Sequence, residues 1–336
     1  MFCQLEWLRD CFPPDIRRAL SELPMSLDET YKRILLSIGS AKREYAHRLL
    51  QCLVVSIRPL RAEELAEVLA VRPDNGKDSE YHSDWRPEDA RQAVLSACSS
   101  LIAIVNVEGL PVVQFSHFSV KEFLMSSRLA NAGEHISPYH IIPCPAHSFL
   151  SRHCLNFLLG LGDNVDKSAV AKRPFAKYAA QYWVDHAKFE GVSLGIQDLM
   201  ERLFYPDAPY FATWVWIYDI DRKVSMEMAR PTQPEAKPLY YAALCGFRSL
   251  VEHLIITHRV DVNARGGVHD TALNAALAKG ELETAWVLLQ NGADVKIKDS
   301  DKDSGGISSL YNVVEVLHHD VTELLSECRN MSDTCM

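Results

Sequence analysis

Three stretches of the sequence hold residue types that could do chemistry. "GVSLG", Gly191 to Gly195, fits G-x-S-x-G, the pattern that exposes a nucleophilic serine in many hydrolases, here Ser193. "FSHFSVKEFLMSS", Phe115 to Ser127, sets His117 between Ser116 and Ser119, with Lys121 and Glu122 behind. A histidine beside a serine is the start of an acyl-transfer site. "HISPYHIIPCPAHSFLSRHC" holds His135, His140, Cys144, His147, His153 and Cys154, all of them possible zinc ligands.

Each chemistry needs a particular element beneath it. A nucleophile elbow works only on a sharp strand-to-helix turn. The segment ahead of Gly191, "AAQYWVDHAKFE", has helical spacing, so Ser193 reads as a loop residue. A serine hydrolase built on Ser193 is the alternative reading, not the leading one. The zinc run lacks the C-x-x-C pair that would complete a structural site. On a helix from about residue 146, His147 and Cys154 share a face while His153 points elsewhere. Capping and core packing are expected there, with no metal and no cofactor. In the third stretch, Ser119 followed three residues later by Glu122 reads as a capping box. His117 is then a packed or hydrogen-bonded residue at the junction of a strand and a helix. No catalytic residue is assigned. Tyr178, Tyr182, Trp183, Trp214 and Trp216 read as packing between helices.

Composition narrows the classes further. The chain has 336 residues and a net charge of −9, which argues against a general nucleic-acid binder or an anionic membrane surface. No apolar run reaches the roughly 18 residues of a membrane span. The N-terminus has scattered charges and no signal-peptide h-region. Nine scattered cysteines, several inside apolar runs such as "LLQCLVV", look like free thiols in a reducing compartment. The expected location is cytoplasmic.

The elements read as follows. "LPMSLDETYKRILLSIG" begins with a capping box, Ser26 and Glu29, and Gly39 can end its helix. "KREYAHRLLQCLVVSIRPLRAEELAEVLAV" reads as helix, short extended piece, helix. A long polar loop, "RPDNGKDSEYHSDWRPED", is long enough to be mobile. "PEDARQAVLSACSSL" is a third helix with Pro87 near its first turn. "LIAIVNVEGLPVVQFSHF" is a hairpin turning at Glu108-Gly109. Three helices and then a hairpin is the order of a winged helix. Its third helix sets Arg86 and Arg91 against Glu88 and Asp89, which leaves no net positive charge for phosphates. Residues 131–235 read as a helical connector that ends in the Pro-rich linker "RPTQPEAKP".

A repeat follows. Leu239 and Leu273 lie 34 residues apart, as do Gly246 and Gly280, while Asp261 and Asp294 lie 33 apart. That is the ankyrin period. A degenerate third copy, "SSLYNVVEVLHHDVTELLSE", would cap the stack. Ankyrin arrays bind through turn tips and inner helices, so the candidate protein-binding residues are Arg265, His269, Asp270, Asn274, Lys298 and Asp299.

The winged-helix unit ending "VVQFSHFSVKEFL", with "LPMSLDETYKRIL", "PFAKYAAQYWVDHA", "WVWIYDID" and "PLYYAALCGFRSLVEHL", resembles the region after the NACHT module of fungal NOD-like (STAND) proteins. The winged helix is similar to the one catalogued with inositol-deacylase proteins. The resemblance implies a mainly α chain, with a winged-helix domain carrying one β-hairpin, a helical connector and a short ankyrin array. It implies residues 1–40 as the helical tail of a NACHT module, 41–130 as the winged helix, 131–235 as the connector and 236–330 as ankyrin repeats. The family's P-loop is not in this sequence. The expectation is therefore a non-enzymatic interaction and regulatory fragment of a signalling protein, with a protein partner on the ankyrin array. In a longer form an NTPase module would be a second partner. No nucleic acid and no membrane are expected.

Overall fold

The computed structural model describes residues 26–70, 85–162, 165–206, 208–225 and 234–294. The chain divides after Leu199 into two compact units. The tail before residue 26, most of the polar loop after Arg72, residues 230–233 of the Pro-rich linker and the degenerate third repeat lie outside the described residues.

The first unit opens with helix α1, Leu27–Ser37, whose first turn is closed by the Ser26 hydroxyl accepting the Glu29 N–H. Helix α2, Arg43–Val55, buries Leu49, Leu50, Cys52 and Leu53. Strand β1, Leu60–Arg61, leads into the short helix α3, Ala62–Ala66, and α4 follows at Ala90–Cys98. Asp89, not Pro87, stands at the head of α4, its carboxylate accepting the Gln92 N–H at 2.9 Å. Strands β2, Ile102–Val107, and β3, Leu110–Phe115, pair antiparallel from Ile102↔Phe115 to Val107↔Leu110. Glu108 and Gly109 both take positive φ, 51° and 82°, the turn whose twist suits a two-residue hairpin. Strand β1 adds to the far side of β3, so the wing is a three-stranded sheet rather than the lone hairpin expected. A two-residue strand is too short to carry a readable alternation.

Helices α5, Phe118–Leu124, and α6, Ser127–Ala130, close the winged helix. The connector adds α7, Pro143–Leu159, α8, Lys167–Ala171, α9, Ala176–Ala187, and α10, Val192–Gly195. A buried carboxylate ties winged helix to connector. Glu64, 1% exposed, takes both arms of the Arg58 fork at 2.8 Å and the Arg61 N–H at 2.9 Å. Burial alone would raise its pKa, but Arg58 and Arg61 outweigh that and hold it below the ordinary value. Arg58 then lies over the rings of Tyr178 and Tyr182, 5.1 and 5.7 Å from their centroids.

Helix α11, Gln197–Leu203, carries the chain into the second unit, which continues with α12, Pro209–Ile217. Strands β4, Tyr218–Asp219, and β5, Val224–Ser225, form a second small hairpin. "WVWIYDID" is thus helix and then strand. Two helix pairs follow: α13, Pro238–Leu244, with α14, Arg248–His258, and α15, Ala272–Lys279, with α16, Leu282–Gln290. Gly246 and Gly280, 34 residues apart, both take φ of 73° at the ends of their inner helices, and Leu239 and Leu273 are both 2% exposed. The fold is mainly α, with a winged helix and ankyrin repeats.

Candidate functional site

The ankyrin array begins on a clasp of carboxylates and phenols. Phe204, Phe211, Trp214 and Tyr241 form an aromatic cluster with ring centroids 5.4–5.9 Å apart. That cluster aims Tyr240 and Tyr241 of α13 at the β4–β5 turn. The Tyr241 hydroxyl donates to Asp219 at 2.8 Å, and the Tyr240 hydroxyl donates to Asp221 at 2.7 Å. Asp219 also accepts the N–H groups of Asp221 and Arg222. Asp221 is 1% exposed at its carboxylate, and its Oδ2 also accepts the Val268 N–H at 2.8 Å. Its Oδ1 has no hydrogen-bond partner and lies 3.8 Å from His269 Nε2. Burial pushes both phenols' pKa values up, with Asp221 and Asp219 adding to the shift.

This clasp holds the 265–270 loop from beneath. The His269 N–H donates to the Tyr240 hydroxyl at 3.1 Å. Gly267, φ 77°, lies against the Tyr240 ring, where a Cβ would clash, and Gly266 lies against the backbone of Glu235. The close approach demands glycine at both positions. The Gly266 N–H closes the loop on the Asp270 carbonyl at 2.8 Å. Asn263 joins the two repeats, its side chain donating to the Gly292 carbonyl at 3.1 Å and accepting the Asp294 N–H at 2.7 Å.

The expected binding residues divide on this geometry. Exposed Arg265 and half-buried Asp270 face each other at 3.7 Å at the loop tip, with Val268 58% exposed between them. His269 turns inward onto Asp221, and its burial lowers its pKa although Asp221 acts the other way. Asn274 is half-buried on the first turn of α15, where its N–H meets the Thr271 hydroxyl at 3.3 Å. Lys298 and Asp299 lie outside the described residues. Sequence reasoning missed Asp219, Asp221, Tyr240 and Tyr241. The signal available was two acids one residue apart in "YDID" and two adjacent phenols in "LYYAAL".

The other chemical candidates resolve into scaffold. Ser119 is not a capping residue. His117 takes the N-cap position of α5, its Nδ1 accepting the Ser119 N–H at 3.3 Å. The Ser119 hydroxyl is 2.7 Å from His117 Nδ1 and 2.7 Å from the hydroxyl of buried Tyr31. With Nδ1 already accepting, the serine donates to it and accepts from Tyr31. That chain ties α1 to α5. A serine three residues before a glutamate looks the same in sequence whether it caps or bridges, and Tyr31 lies 88 residues away. Ser193 sits in α10, behind Gly191 at φ 79° and after helix α9, so no strand leads into it. No hydrogen bond joins its hydroxyl to a histidine among the described residues.

In the zinc run, His135 is exposed and His140 half-buried. Cys154 and His153 are buried, and burial lowers the His153 pKa to about 3. No group of three His, Cys, Asp or Glu side chains among the described residues is placed to hold a metal. His147 instead meets His186, 39 residues on. Arg86, the basic residue near the winged helix's third helix, is held by Glu67 at 2.9 Å and the Lys172 carbonyl at 3.1 Å. No helix among the described residues is long and apolar enough to cross a membrane.

Residues 33–133 match the family described as GPI inositol-deacylase, winged helix domain, and residues 219–299 match ankyrin repeats in three copies. The ankyrin match begins at Asp219, the first acid of the clasp. The chain is 33% identical over 295 residues to azaphilone pigments biosynthesis cluster protein L of Monascus ruber. That alignment covers 82% of this chain and 61% of the relative. Two proteins of Latrodectus tredecimguttatus, alpha-latrocrustotoxin-Lt1a and alpha-latroinsectotoxin-Lt1a, are 36% and 41% identical over 64 residues. Those residues are 19% of this chain and 4% of each toxin. No solved structure matches the chain.

Proposed function

We propose that this chain is a non-enzymatic interaction and regulatory segment of a NOD-like signalling protein, whose ankyrin array recognises a protein partner while the winged helix acts as scaffold. The observation that carries this reading is the 265–270 loop, gripped by Asp221 and Tyr240 from beneath while Arg265 and Val268 stand exposed beside a half-buried Asp270. A tip held in one conformation loses little entropy on binding. Asn274 extends the same face in this reading, and Lys298 and Asp299 remain candidates by their place in the sequence. The fungal relative's name places that protein with a pigment biosynthesis cluster, which fits a regulatory segment as readily as a catalytic one. In a longer form, the winged helix would pack on a nucleotide-driven module and bias it between two states.

The test is affinity capture with the whole chain and with an Arg265→Glu/Asp270→Lys variant, read by quantitative mass spectrometry. Proteins lost from the variant and retained by wild type support the reading. Identical sets overturn it. The hydrolase reading on Ser193 is tested beside it. A fluorophosphonate probe that labels wild type but not Ser193→Ala would establish that reading and remove the non-enzymatic one.

A further inference from the structure

A chain of polar groups runs through the core of the first unit, and its directions follow from the donors at its ends. The Tyr178 hydroxyl accepts the Ile57 N–H at 3.2 Å. Its own proton then goes to His186 Nε2, 3.0 Å away. A neutral imidazole that accepts at Nε2 carries its proton on Nδ1. That proton points to His147 Nδ1 at 2.9 Å. His147 therefore accepts at Nδ1 and holds its proton on Nε2. Every imidazole lone pair in the chain is occupied.

The surroundings hold this direction. Arg58 lies over the Tyr178 ring at 5.1 Å and, like the Ile57 N–H, can only donate. Reversing the chain would leave the phenol proton facing donors. The thiol of Cys52 on α2, pushed up to about 12 by burial, and that of Cys154 on α7, pushed up likewise, stay neutral beside Tyr178. Glu64 is spent on Arg58 and Arg61. Lys121 of α5 acts against any charge on His147. Asp185 and Lys188 flank His186 along α9 and are exposed. Phe189, just past α9, stacks on the His147 ring at 4.2 Å and 11°.

We propose that the His147–His186–Tyr178 chain is an acid-released latch: a proton taken up from solvent at His147 Nδ1 breaks the link between the two histidines and frees the 187–191 turn. A proton added to His147 Nδ1 would face the His186 Nδ1–H across 2.9 Å, so the two N–H groups must separate. Phe189 moves with His147, since the two rings are stacked. Burial disfavours the charged form of both rings and lowers His186 to about 3, so the closed latch resists protonation.

The test uses the whole chain with nitrogen-15 imidazole spectra from pH 8 to 5, together with amide exchange. At pH 8, His186 should carry its proton on Nδ1 and His147 on Nε2. The opposite pattern overturns the latch. On acidification, exchange at residues 187–191 should rise with the protonation of His147. Tyr178→Phe removes the hydroxyl that fixes the tautomer of His186, which can then accept from His147. His147 should become easier to protonate by about ten-fold, a rise of about one pH unit. A pair that is merely buried would titrate unchanged, because Tyr178 does not touch His147, and that result sinks the proposal. His147→Gln gives a second reading, since its amide oxygen accepts from His186 but does not titrate. The acid response of residues 187–191 should vanish in that variant. Its persistence also overturns the latch.

Discussion

In the first unit, buried His186 and Tyr178 and half-buried His147 are neutral groups that satisfy one another in sequence. In the second, Asp221 is a carboxylate 1% exposed, held by the Tyr240 hydroxyl and the Val268 N–H with one oxygen left over. The difference lies in what each can lose. The histidine chain has no spare lone pair, so its weakness is an added proton. The carboxylate depends on fixed donors, so its weakness is a missing hydroxyl or a displaced loop. Acid should probe the first, and substitution around Tyr240 the second.

The largest effect should come from crowding the clasp. Gly267→Ala places a methyl group into the Tyr240 ring on a backbone at φ 77°. Left-handed backbone and overpacking together cost about 2–4 kcal/mol. Gly280→Ala shares the φ, 73°, but meets nothing within 4 Å, and should cost about 1 kcal/mol. Amide exchange of the second unit under denaturant separates the two. Equal losses would mean that the clasp contributes no more than backbone strain.

Next comes Tyr240→Phe, which keeps the ring and removes the donor to Asp221. A buried acceptor stripped of a partner costs about 1–3 kcal/mol. The same exchange measurement should show the loss in residues 265–270 before it appears in α16. If the loss is uniform across the array, Tyr240 supports packing rather than the loop.

How much of this was legible in the sequence depends on distance along the chain. The ankyrin pairs were legible because their period repeats Leu239 and Gly246 at Leu273 and Gly280. The winged helix was legible from the order of its elements and from the Glu108-Gly109 turn. The contacts that define both polar clusters were not. Tyr31 reaches Ser119 across 88 residues, and Val268 reaches Asp221 across 47. His147 drew attention as a metal ligand beside Cys154, yet its partner is His186 on another helix. One signal was present: Tyr178, Tyr182 and His186 recur every four residues, so the histidine continues an aromatic stripe into the core. Periodicity places a residue on a face, but it does not say which face of another helix lies opposite.

Acid should separate the two units more gently. His186 and His153 are held near 3 in the folded state against an ordinary value of 6.5. The unfolded chain therefore binds more protons between those values, so their stabilising contribution is complete above 6.5 and is lost as pH falls through the window. Each histidine contributes a slope of about 1.4 kcal/mol per pH unit there. Thermal unfolding of the first unit should fall steadily from pH 6.5 to 5.5. His153 lies between the rings of Phe149 and Phe175 with its Nε2 unpaired. His153→Leu should cost little at pH 7.5 and remove one share of the slope. An unchanged slope would place the acid sensitivity elsewhere.

The smallest expected change in stability is at the loop tip, and it is there that stability and recognition should part. Asp270 takes φ 68°, a conformation that aspartate and asparagine tolerate better than other side chains. Asp270→Asn keeps that backbone and removes the charge opposite Arg265, a solvent-accessible pair at 3.7 Å. Such pairs contribute about 0–1 kcal/mol, so the unfolding midpoint should barely move. If the tip is the recognition surface, partner capture should drop while the fold stays intact. A variant that keeps both its stability and its partners would confine the function of this loop to joining the repeats, and would move the search for the binding face to the inner helices α13 and α15.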